Sequence, residues 1–483
     1  MKLKLLTVCL GVLVLTCRLG AAPAPLSEAA ALRDRGDFKG SERVLKEALL
    51  VPGLSGAARK DMQFQLEVLG RLKREFHFTK EELFTSLSKS VKDLSPAEFN
   101  RWVAKGYFDS RIIDGQTLYL NLDAENIFFQ HPEMSDRQLD KKEDWQQQHA
   151  RYAVSQSIRK AVHEQHTPYV LPHQFHCTMT VSVENGATTP GDVIRAWLPI
   201  PRTYPFQNNF KLISSSAPVK SLAPETSAIR SVYLEQSSSE EGSAEFTITY
   251  NYTMSGIYFE LDPGKIQPAD LSDPVLKKYT SESPHVVFSP RIRELSAKIA
   301  GHETNPMLEA RAFYDWIGDN IKYSYTREYS TVPNLSDDCL TCKQGDCGEE
   351  AMLFIALCRT RGIPARWQSG WTTFPHAVGN HDWSEIYLAP YGWVPVDACR
   401  GMAAHRYYTT LTDSERRELR DFYFGGLDYY RMAANSDHSQ ELDPPKETPR
   451  SDDIDFQRGE LESDGHNIYF DKYKCSLRVQ DVK

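Results

Sequence analysis

The feature that most constrains this chain is a cysteine at the start of a long apolar helix. Residues 345–366 read GDCGEEAMLFIALCRTRGIPAR, in which apolar positions recur with a helical period after Cys347. Gly362 and Pro364 mark the predicted end of the helix. Backbone N–H groups and the positive end of the helix dipole converge at such an N-terminus, so we expect the thiolate form of Cys347 to be favoured. Taken alone, the segment leaves a buried, unreactive cysteine as the alternative.

Two predicted strands follow this helix and carry residues of a catalytic type. Residues 380–388 (NHDWSEIYL) and 391–400 (YGWVPVDACR) both read as strands, and residues 389–392 have the Pro and Gly of a hairpin loop. His381 lies on the first strand and Asp397 on the second. Together with the cysteine they supply a nucleophile, a general base and an orienting carboxylate. This combination is what acyl transfer by a cysteine requires.

In this order the segments GDCGEEAMLFIALCRTRGIPAR, HDWSEIYL and GWVPVDA resemble the core of the transglutaminase-like superfamily, in an exported, bacterial-type member. The resemblance covers about residues 285–405, with motif spacings of 34 and 16 residues. It implies a papain-like triad of Cys347 as nucleophile, His381 as base and Asp397 as its orienting partner. The implied activity is acyl transfer on peptide or protein amides through a thioester, by hydrolysis or amine transfer, with no cofactor and no metal. A catalytically silent binding or scaffold protein is the alternative.

The expected hairpin does not by itself join the histidine to the aspartate. A four-residue loop pairs Leu388 with Trp393. It then places Asp397 opposite Ser384, three residues away from His381 along the strand. We therefore expect a bulge in the second strand, or a longer loop, to correct the register.

Other residues near the motifs are candidates for supporting roles. The backbone N–H of Cys347 is a natural donor to an oxyanion, and a second donor should come from upstream. Because the resemblance implies an aromatic or amide residue there, Tyr323, Tyr325 and Gln344 are the candidates, although tyrosines in such a strand also serve packing. His376, which lies in a predicted loop, is the competing base.

Cys339 and Cys342 form a C-x-x-C pair just upstream of the nucleophile motif. No second Cys or His pair follows at zinc-finger spacing, so a short disulfide or two reduced thiols are expected rather than structural zinc. A thiol redox role is disfavoured, because the pair lies outside any βαβ pattern. Seven cysteines lie beyond residue 22, so at least one thiol is unpaired in a monomer, and we expect it to be Cys347.

Residues 1–22 have the layout of a secretory signal peptide, in which lysines precede an apolar run and small residues follow it. Lipid anchoring at Cys17 is not expected, because residues 14–16 lack the small residue required before the cysteine. We expect an exported protein, periplasmic or extracellular. No stable membrane insertion is expected after the signal peptide is removed.

The charge balance argues against a nucleic-acid partner. The formal net charge is −9, and no stretch resembles a basic groove. We expect a protein or peptide substrate, and the sequence does not specify an oligomeric state. With 483 residues and 41% hydrophobic content, the chain is long enough for two or three globular domains.

Changes in hydrophobic period divide the chain after the signal peptide into four regions of an α+β fold. In order, they are a helical region over 26–165, an antiparallel β-sandwich over 170–263, a papain-like transglutaminase core over 285–405, and a C-terminal extension over 406–483 packed on the core. Within the extension, Asp428 and Arg431 are expected to form a surface ion pair.

Overall fold

The computed structural model describes residues 24–139 and 145–482. The predicted signal peptide, residues 1–22, and Cys17 lie outside these residues. The chain forms two compact units, one with residues up to 69 together with 112–116, the other with 70–111 and the residues from 117 onward. Helices and strands are both abundant, which confirms the predicted mixed α and β class. Within the described residues, no helix is long and apolar enough to cross a membrane.

The first unit begins with a helical hairpin. Helix α1 (Ala24–Asp34) and helix α2 (Phe38–Leu49) are joined by a turn in which Gly36 has φ 87°. This left-handed backbone conformation favours glycine, which has no Cβ. The Asp37 carboxylate caps α2 by accepting the N–H of Gly40 at 2.8 Å. The first unit thus begins with two helices joined by a tight turn, within the region predicted to be helical.

The N-terminal part of the second unit combines helices with short strands. The elements are α3 (Gly56–Glu75), which begins in the first unit, β1 (Phe76–Phe78), α4 (Lys80–Ser90), α5 (Pro96–Ala104), β2 (Ser110–Ile113), β3 (Gln116–Leu120), α6 (Asp123–Gln130) and α7 (Trp145–Gln165). Helices were predicted throughout this region, and the short strands are the difference. Strands of three to five residues are too short for a clear alternating pattern in the sequence.

The remaining elements are six strands in succession, then a mixed run of helices and strands, and a final segment in which strands predominate. The next strands are β4 (Tyr169–Val183), β5 (Val193–Pro199), β6 (Gln207–Ser215), β7 (Val219–Leu222), β8 (Ser231–Ser237) and β9 (Ala244–Tyr258). They are followed by α8 (Pro274–Lys278), α9 (Pro290–Ala300), α10 (Pro306–Asn320), β10 (Lys322–Tyr323), α11 (Leu335–Cys342), β11 (Gln344–Gly345), α12 (Cys347–Thr360), β12 (Ala365–Thr372), β13 (Gly379–Leu388), β14 (Gly392–Val396) and α13 (Ala398–Arg406). The last elements are α14 (Asp413–Phe422), β15 (Gly426–Leu427), β16 (Arg431–Asn435), β17 (Glu460–Ser463), β18 (His466–Ile468) and β19 (Tyr473–Asp481).

Two five-stranded antiparallel sheets follow, one built around the long strands β4 and β9 and the other around β5 and β8. One sheet has the order β15-β9-β4-β19 with β6 also paired to β9, and the other has the order β18-β17-β5-β8-β7. Alternate residues of β4 and β5 point into a shared apolar core, as expected for half-buried strands. These core residues include Phe175, Cys177, Met179, Ile194, Ala196 and Leu198.

The C-terminal segment completes both of these sheets. Strand β19 pairs with residues Phe175 to Val183 of β4, and β17 pairs with β5. The C-terminal extension over 406–483 was expected to pack on the catalytic core, whereas its last strand lies beside β4. The reason is its own alternating pattern, since Tyr473 and Leu477 are buried in the core that the two sheets share.

A four-stranded sheet and helix α12 hold the residues of the predicted catalytic motifs. The strand order is β14-β13-β12-β16, so β16 from the C-terminal segment forms one edge of this sheet. Residues 348–359 of α12 are all buried, which agrees with the continuous apolar run from Ala351 to Cys358. The arrangement places the start of α12 near the middle of β13.

Candidate active site

Cys347 is the first residue of α12 and is partly buried. The carboxylate of Asp346 caps the helix, because its Oδ1 accepts the N–H of Gly348 at 3.0 Å and that of Glu349 at 3.2 Å. The helix behind the cysteine is packed on all sides. The cap and the packed helix together fix the position of the Cys347 sulfur.

The hairpin of β13 and β14 has a different register from the one expected. Leu388 pairs with Gly392, so the loop has three residues and not four. Ser384 therefore faces Val396, and the register is continuous over all five pairs without a bulge. The strand ends at Val396, and Asp397 leaves the sheet as the N-cap of α13. The short loop and this strand end, rather than a bulge or a longer loop, direct Asp397 towards His381.

His381 and Asp397 form a buried hydrogen-bonded pair. Nε2 of His381 lies 2.8 Å from Oδ2 of Asp397, and the two side chains are 4% and 0% exposed. The other carboxylate oxygen accepts the N–H of Arg400 at 2.9 Å. An ionised carboxylate only accepts hydrogen bonds, so the neutral ring carries its proton on Nε2. Nδ1 is then the nitrogen that can take a proton.

Arg431 anchors the carboxylate of Asp397 from the opposite side. Its Nη2 lies 2.8 Å from Oδ2 of Asp397 and 3.1 Å from Oδ2 of Asp428, and its side chain is 0% exposed. The guanidinium also lies over the ring of Trp383, 5.3 Å from its centroid. The expected ion pair between Asp428 and Arg431 is therefore present, but it is buried and does not lie on the surface. Strand β16 is an internal part of the fold and carries Arg431 into the core.

The charges around the pair keep Asp397 ionised and His381 neutral. Burial alone would raise the pKa of Asp397, but the His381 ring and the Arg431 guanidinium outweigh it and hold that pKa below its ordinary value. Burial lowers the pKa of His381 to about 4, although Asp397 opposes this shift. The resting pair is thus a carboxylate and a neutral imidazole.

The hydrogen-bond partner of the Cys347 sulfur is Asp382 rather than His381. Sγ of Cys347 lies 3.6 Å from Oδ2 of Asp382, the residue that follows His381 in β13. Two further groups hold the Asp382 carboxyl. The hydroxyl of Tyr329 lies 3.3 Å from Oδ2, and the side-chain amide of Gln457 lies 2.6 Å from Oδ1.

The resting thiol is not activated by the helix N-terminus alone. Burial raises the pKa of Cys347 well above its ordinary value, and the charges of Asp382 and Asp346 raise it further. The expectation of a favoured thiolate was therefore wrong for this resting state. The main physical reason is burial of the thiol, and the Asp346 carboxylate at the positive end of the helix dipole adds to it.

The three candidates for the second oxyanion donor lie on or beside a two-residue ladder near Cys347. β10 and β11 are parallel, with Lys322 opposite Gln344 and Tyr323 opposite Gly345. The charge of the Cys347 thiolate adds to burial in raising the pKa of Tyr323, so this phenol is electrostatically coupled to the sulfur. Tyr325 exchanges backbone hydrogen bonds with the Asn126 side chain. Of the three, Tyr323 is the one coupled to the thiol.

The competing residues lie elsewhere. His376 is exposed in the loop between β12 and β13, with φ 63°. Cys339 and Cys342 are the fifth and last residues of α11, the first buried and the second exposed, and both are free thiols. Within the described residues, no group of three or more His, Cys, Asp or Glu side chains is arranged to hold a metal ion.

Four residues of the site were not identified from the sequence, namely Asp382, Tyr329, Arg431 and Gln457. Alternation along β13 places Asp382 on the face opposite to His381, which normally indicates a solvent-facing side chain. Both faces of this strand are buried, so Asp382 lies inside the protein as well. The one signal in the sequence that could have identified Asp382 was its charge, because the strand around it otherwise reads as a core strand.

Comparison with curated proteins gives two distant bacterial relatives. Over 199 residues the chain is 25% identical to the uncharacterized protein YebA of Bacillus subtilis, covering 36% of this chain and 26% of YebA. Over 234 residues it is 26% identical to an uncharacterized protein of Haemophilus influenzae, covering 42% of this chain and 62% of that protein. The chain thus spans less than two thirds of the length of either relative.

Comparison with solved structures gives two distant matches. A candidate cysteine protease from Cytophaga hutchinsonii matches with a TM-score of 0.42 and 15% identity, covering 65% of this chain and 92% of that one. The periplasmic domain of TgpA from Pseudomonas aeruginosa matches with a TM-score of 0.28 and 13% identity, covering 54% of this chain and 95% of that one.

The family model of the transglutaminase-like superfamily matches residues 293–398. This range begins in α9, contains all of α12, β12, β13 and β14, and ends at the start of α13. It therefore includes Cys347, His381 and Asp397, in agreement with the resemblance of the three sequence motifs. Residues 293–398 of this chain thus match the core of the transglutaminase-like superfamily.

Proposed function

We propose that this protein is a cysteine-dependent enzyme that transfers the acyl group of peptide or protein amides. The observation that carries the proposal is the buried His381–Asp397 pair, with Nε2 and Oδ2 at 2.8 Å, beside the helix that begins at Cys347. A buried imidazole oriented by a carboxylate is what a general base needs. The transglutaminase-like core is the context in which this set of residues acts.

In the proposed reaction, the Cys347 thiol gives its proton to Nδ1 of His381 while its sulfur attacks the amide carbonyl. The S–C bond forms, and the C–N bond breaks as His381 passes the proton to the leaving amine. The product at this stage is a thioester on Cys347. Water or an amine then attacks the thioester, gives a proton to His381, and the sulfur leaves as the thiol.

Asp397 keeps the imidazole in the Nε2–H tautomer and stabilises the imidazolium that forms during each transfer. Because the pKa of free His381 is about 4, the imidazolium needs this carboxylate. Its formation also requires the nearby negative charge that develops on the sulfur or the substrate. Charge separation is therefore coupled to substrate binding in the proposed mechanism.

The carbonyl oxygen of the substrate becomes negative during the attack and needs donors. The first residue of a helix has an N–H without an intrahelical acceptor, so the backbone N–H of Cys347 is the proposed first donor. Tyr323 is the proposed second donor because its phenol is coupled to the thiol, with Tyr325 and Gln344 as alternatives. The two donors would stabilise the tetrahedral intermediate.

The proposed setting is outside the cytoplasm, in the periplasm or the extracellular space. This follows from the signal-like segment 1–22 and agrees with the lack, among described residues, of a membrane-spanning helix. The proposed substrates are proteins or peptides. Whether water or an amine accepts the acyl group depends on the access of each to the thioester.

The test is turnover of an unfolded protein substrate in the presence of a fluorescent primary amine. New amino groups report hydrolysis, and fluorescence on the substrate reports amine transfer. Cys347→Ala should abolish both signals, and His381→Ala should lower them by about 10²- to 10⁴-fold. His376→Ala is the matched control and should retain the rate. Turnover that survives in the Cys347→Ala variant would overturn the proposed nucleophile, and no turnover by the wild type would favour the scaffold alternative.

A further inference from the structure

Asp382 is a buried carboxyl group that contacts the proposed nucleophile. The residue is 2% exposed, and its Oδ2 lies 3.6 Å from Sγ of Cys347. The effect of a carboxyl group in this place on the Cys347 thiolate depends on whether the carboxyl group is protonated. An ionised carboxylate opposes formation of the thiolate, whereas a carboxylic acid donates a hydrogen bond that stabilises it.

Gln457 determines which oxygen of Asp382 accepts a hydrogen bond. Its Nε2 lies 3.2 Å from the backbone oxygen of His381 and 2.6 Å from Oδ1 of Asp382. A backbone carbonyl can only accept, so the atom of Gln457 that faces both oxygens is the NH₂ group. Oδ1 of Asp382 is therefore an acceptor. If the carboxyl group carries a proton, the proton lies on Oδ2.

Tyr329 supplies the second part of this assignment. Its hydroxyl lies 2.8 Å from Oδ1 of Asp346 and 3.3 Å from Oδ2 of Asp382. Oδ1 of Asp346 already accepts two backbone N–H groups, so it is an acceptor for the hydroxyl as well. The single hydroxyl proton of Tyr329 therefore lies in the hydrogen bond to Asp346. Tyr329 therefore does not donate to Oδ2 of Asp382, so this oxygen can carry a proton of its own and donate it to the Cys347 sulfur.

The surrounding charges also favour the protonated form of Asp382. Burial raises its pKa well above the ordinary value, and Asp455 and Asp346 raise it further. The same environment raises the pKa of Asp346 and of Asp455 to about 6, with burial as the main cause in both. Burial therefore favours the protonated form of the Asp382 carboxyl group.

We propose that Asp382 is a further catalytic residue, a neutral carboxylic acid whose Oδ2–H donates a hydrogen bond to the Cys347 sulfur. The inference rests on the proposed function and adds a residue to it. When the thiol proton moves to His381, the O–H group of Asp382 stabilises the thiolate. Asp382 keeps its own proton through the reaction. The donor offsets the burial and the Asp346 charge that otherwise disfavour the thiolate.

The test uses the rate at which iodoacetamide alkylates Cys347 in the full chain at pH 6, with the label mapped by peptide mass spectrometry. Exposed Cys342 is the internal reference in each sample. An asparagine keeps a neutral N–H donor in the place of the acid, so Asp382→Asn should react within about threefold of the wild type. Asp382→Ala has no donor and should react at least about tenfold more slowly, which corresponds to one pKa unit of the thiol.

Asp455→Asn is the matched control, because it removes a neighbouring carboxyl that raises the pKa of Asp382 and is not a hydrogen-bond partner of the sulfur. It should leave the alkylation rate within threefold of the wild type. An Asp382→Asn variant that reacts at least tenfold faster would show that Asp382 is ionised, and would overturn the proposal. An unchanged rate in Asp382→Ala would also overturn it. Thermal unfolding of each variant confirms that a slower rate is not a loss of fold.

Alkylation of Cys347 does not require amide turnover. The experiments can therefore contradict the role of Asp382 without contradicting the proposed function, and the reverse. If Asp382→Asn and Asp382→Ala behave as expected but no amide is turned over, the acid–thiol contact holds and the proposed function fails. If turnover depends on Cys347 but not on Asp382, the function holds and this inference fails.

Discussion

His381 and Asp397 are joined by one hydrogen bond of 2.8 Å, between Nε2 and Oδ2, because β14 ends one residue before the carboxylate. Asp397 is at once the partner of the imidazole, the N-cap of α13 and one of the two carboxylates bound by Arg431. The same oxygen, Oδ2, faces both the ring and the guanidinium. A change of this side chain therefore affects the tautomer of His381 more than the fold.

Asp397→Asn should lower the rate of amide turnover by about 10²- to 10⁴-fold. An asparagine can still accept the N–H of Arg400 through its carbonyl oxygen. Its NH₂ group would then face the ring nitrogen and the guanidinium, both of which are donors, and would favour the wrong tautomer. The measurement is kcat together with the thermal midpoint. A variant with wild-type kcat would remove Asp397 from the mechanism.

Arg431→Met should destabilise the protein by about 3–5 kcal/mol, because it leaves two buried carboxylates without their shared cation. Urea unfolding at neutral pH measures the free energy of unfolding. Arg291→Met is the matched control, since Arg291 forms an ion pair with Asp337 and its side chain is 57% exposed. That variant should change stability by less than about 1 kcal/mol. Similar losses in both variants would contradict the structural role of Arg431.

Gly348→Ala should disturb the group that joins Asp346 to Asp382. A Cβ at this position would lie 2.0 Å from the hydroxyl oxygen of Tyr329, so the phenol would have to move. We expect a loss of about 1–3 kcal/mol in the free energy of unfolding. Gly379→Ala is the control, because a Cβ there meets no atom within 4 Å. If the two variants are equally stable, the hydroxyl does not occupy this space.

His438→Gln should change the response of stability to acid. Burial lowers the pKa of His438 to about 4, and Asp437 only partly offsets this. Between about pH 6.5 and pH 4 the unfolded chain binds a proton that the folded chain does not, so the wild type loses up to about 3 kcal/mol as the pH falls. The His438→Gln variant has no titrating group at this position, so it does not lose this stability as the pH falls.

The stability of the wild type relative to His438→Gln should therefore be constant above pH 7.5 and fall steadily towards pH 4. Urea unfolding at several pH values measures it. Exposed His302→Gln is the control and should show the same difference from the wild type at every pH. A difference for His438→Gln that does not depend on pH would contradict the buried, neutral state of this histidine.

The sequence predicted the elements whose signals are local. The start of α12 at Cys347, the strand with His381 and the strand that ends just before Asp397 follow from helical period, strand alternation and the Pro-Gly loop. The register of the hairpin was missed by one residue, because the length of the loop decides the pairing and the sequence does not fix it. The end of β14 at Val396 then determined where the carboxylate points.

The rest of the site depends on contacts between distant parts of the chain. Arg431 and Gln457 come from the C-terminal segment, which also completes the sheets of β4 and β5. Nothing in the local sequence of Gln457 distinguishes a residue bound to Asp382 from a surface amide. Asp382 was assigned no role from the sequence, and only the burial of both faces of β13 shows that its carboxyl group lies inside the protein.

The most direct test of the central claim is detection of the acyl thioester on Cys347. The full chain is mixed with a small activated acyl ester, stopped with acid, and examined by intact-mass and peptide mass spectrometry. We predict one added acyl group on Cys347, released by hydroxylamine and absent from Cys347→Ala. Exposed Cys342 should remain unmodified, and His381→Ala should acylate far more slowly. Acylation that bypasses Cys347, or amide turnover that survives Cys347→Ala, would contradict the account.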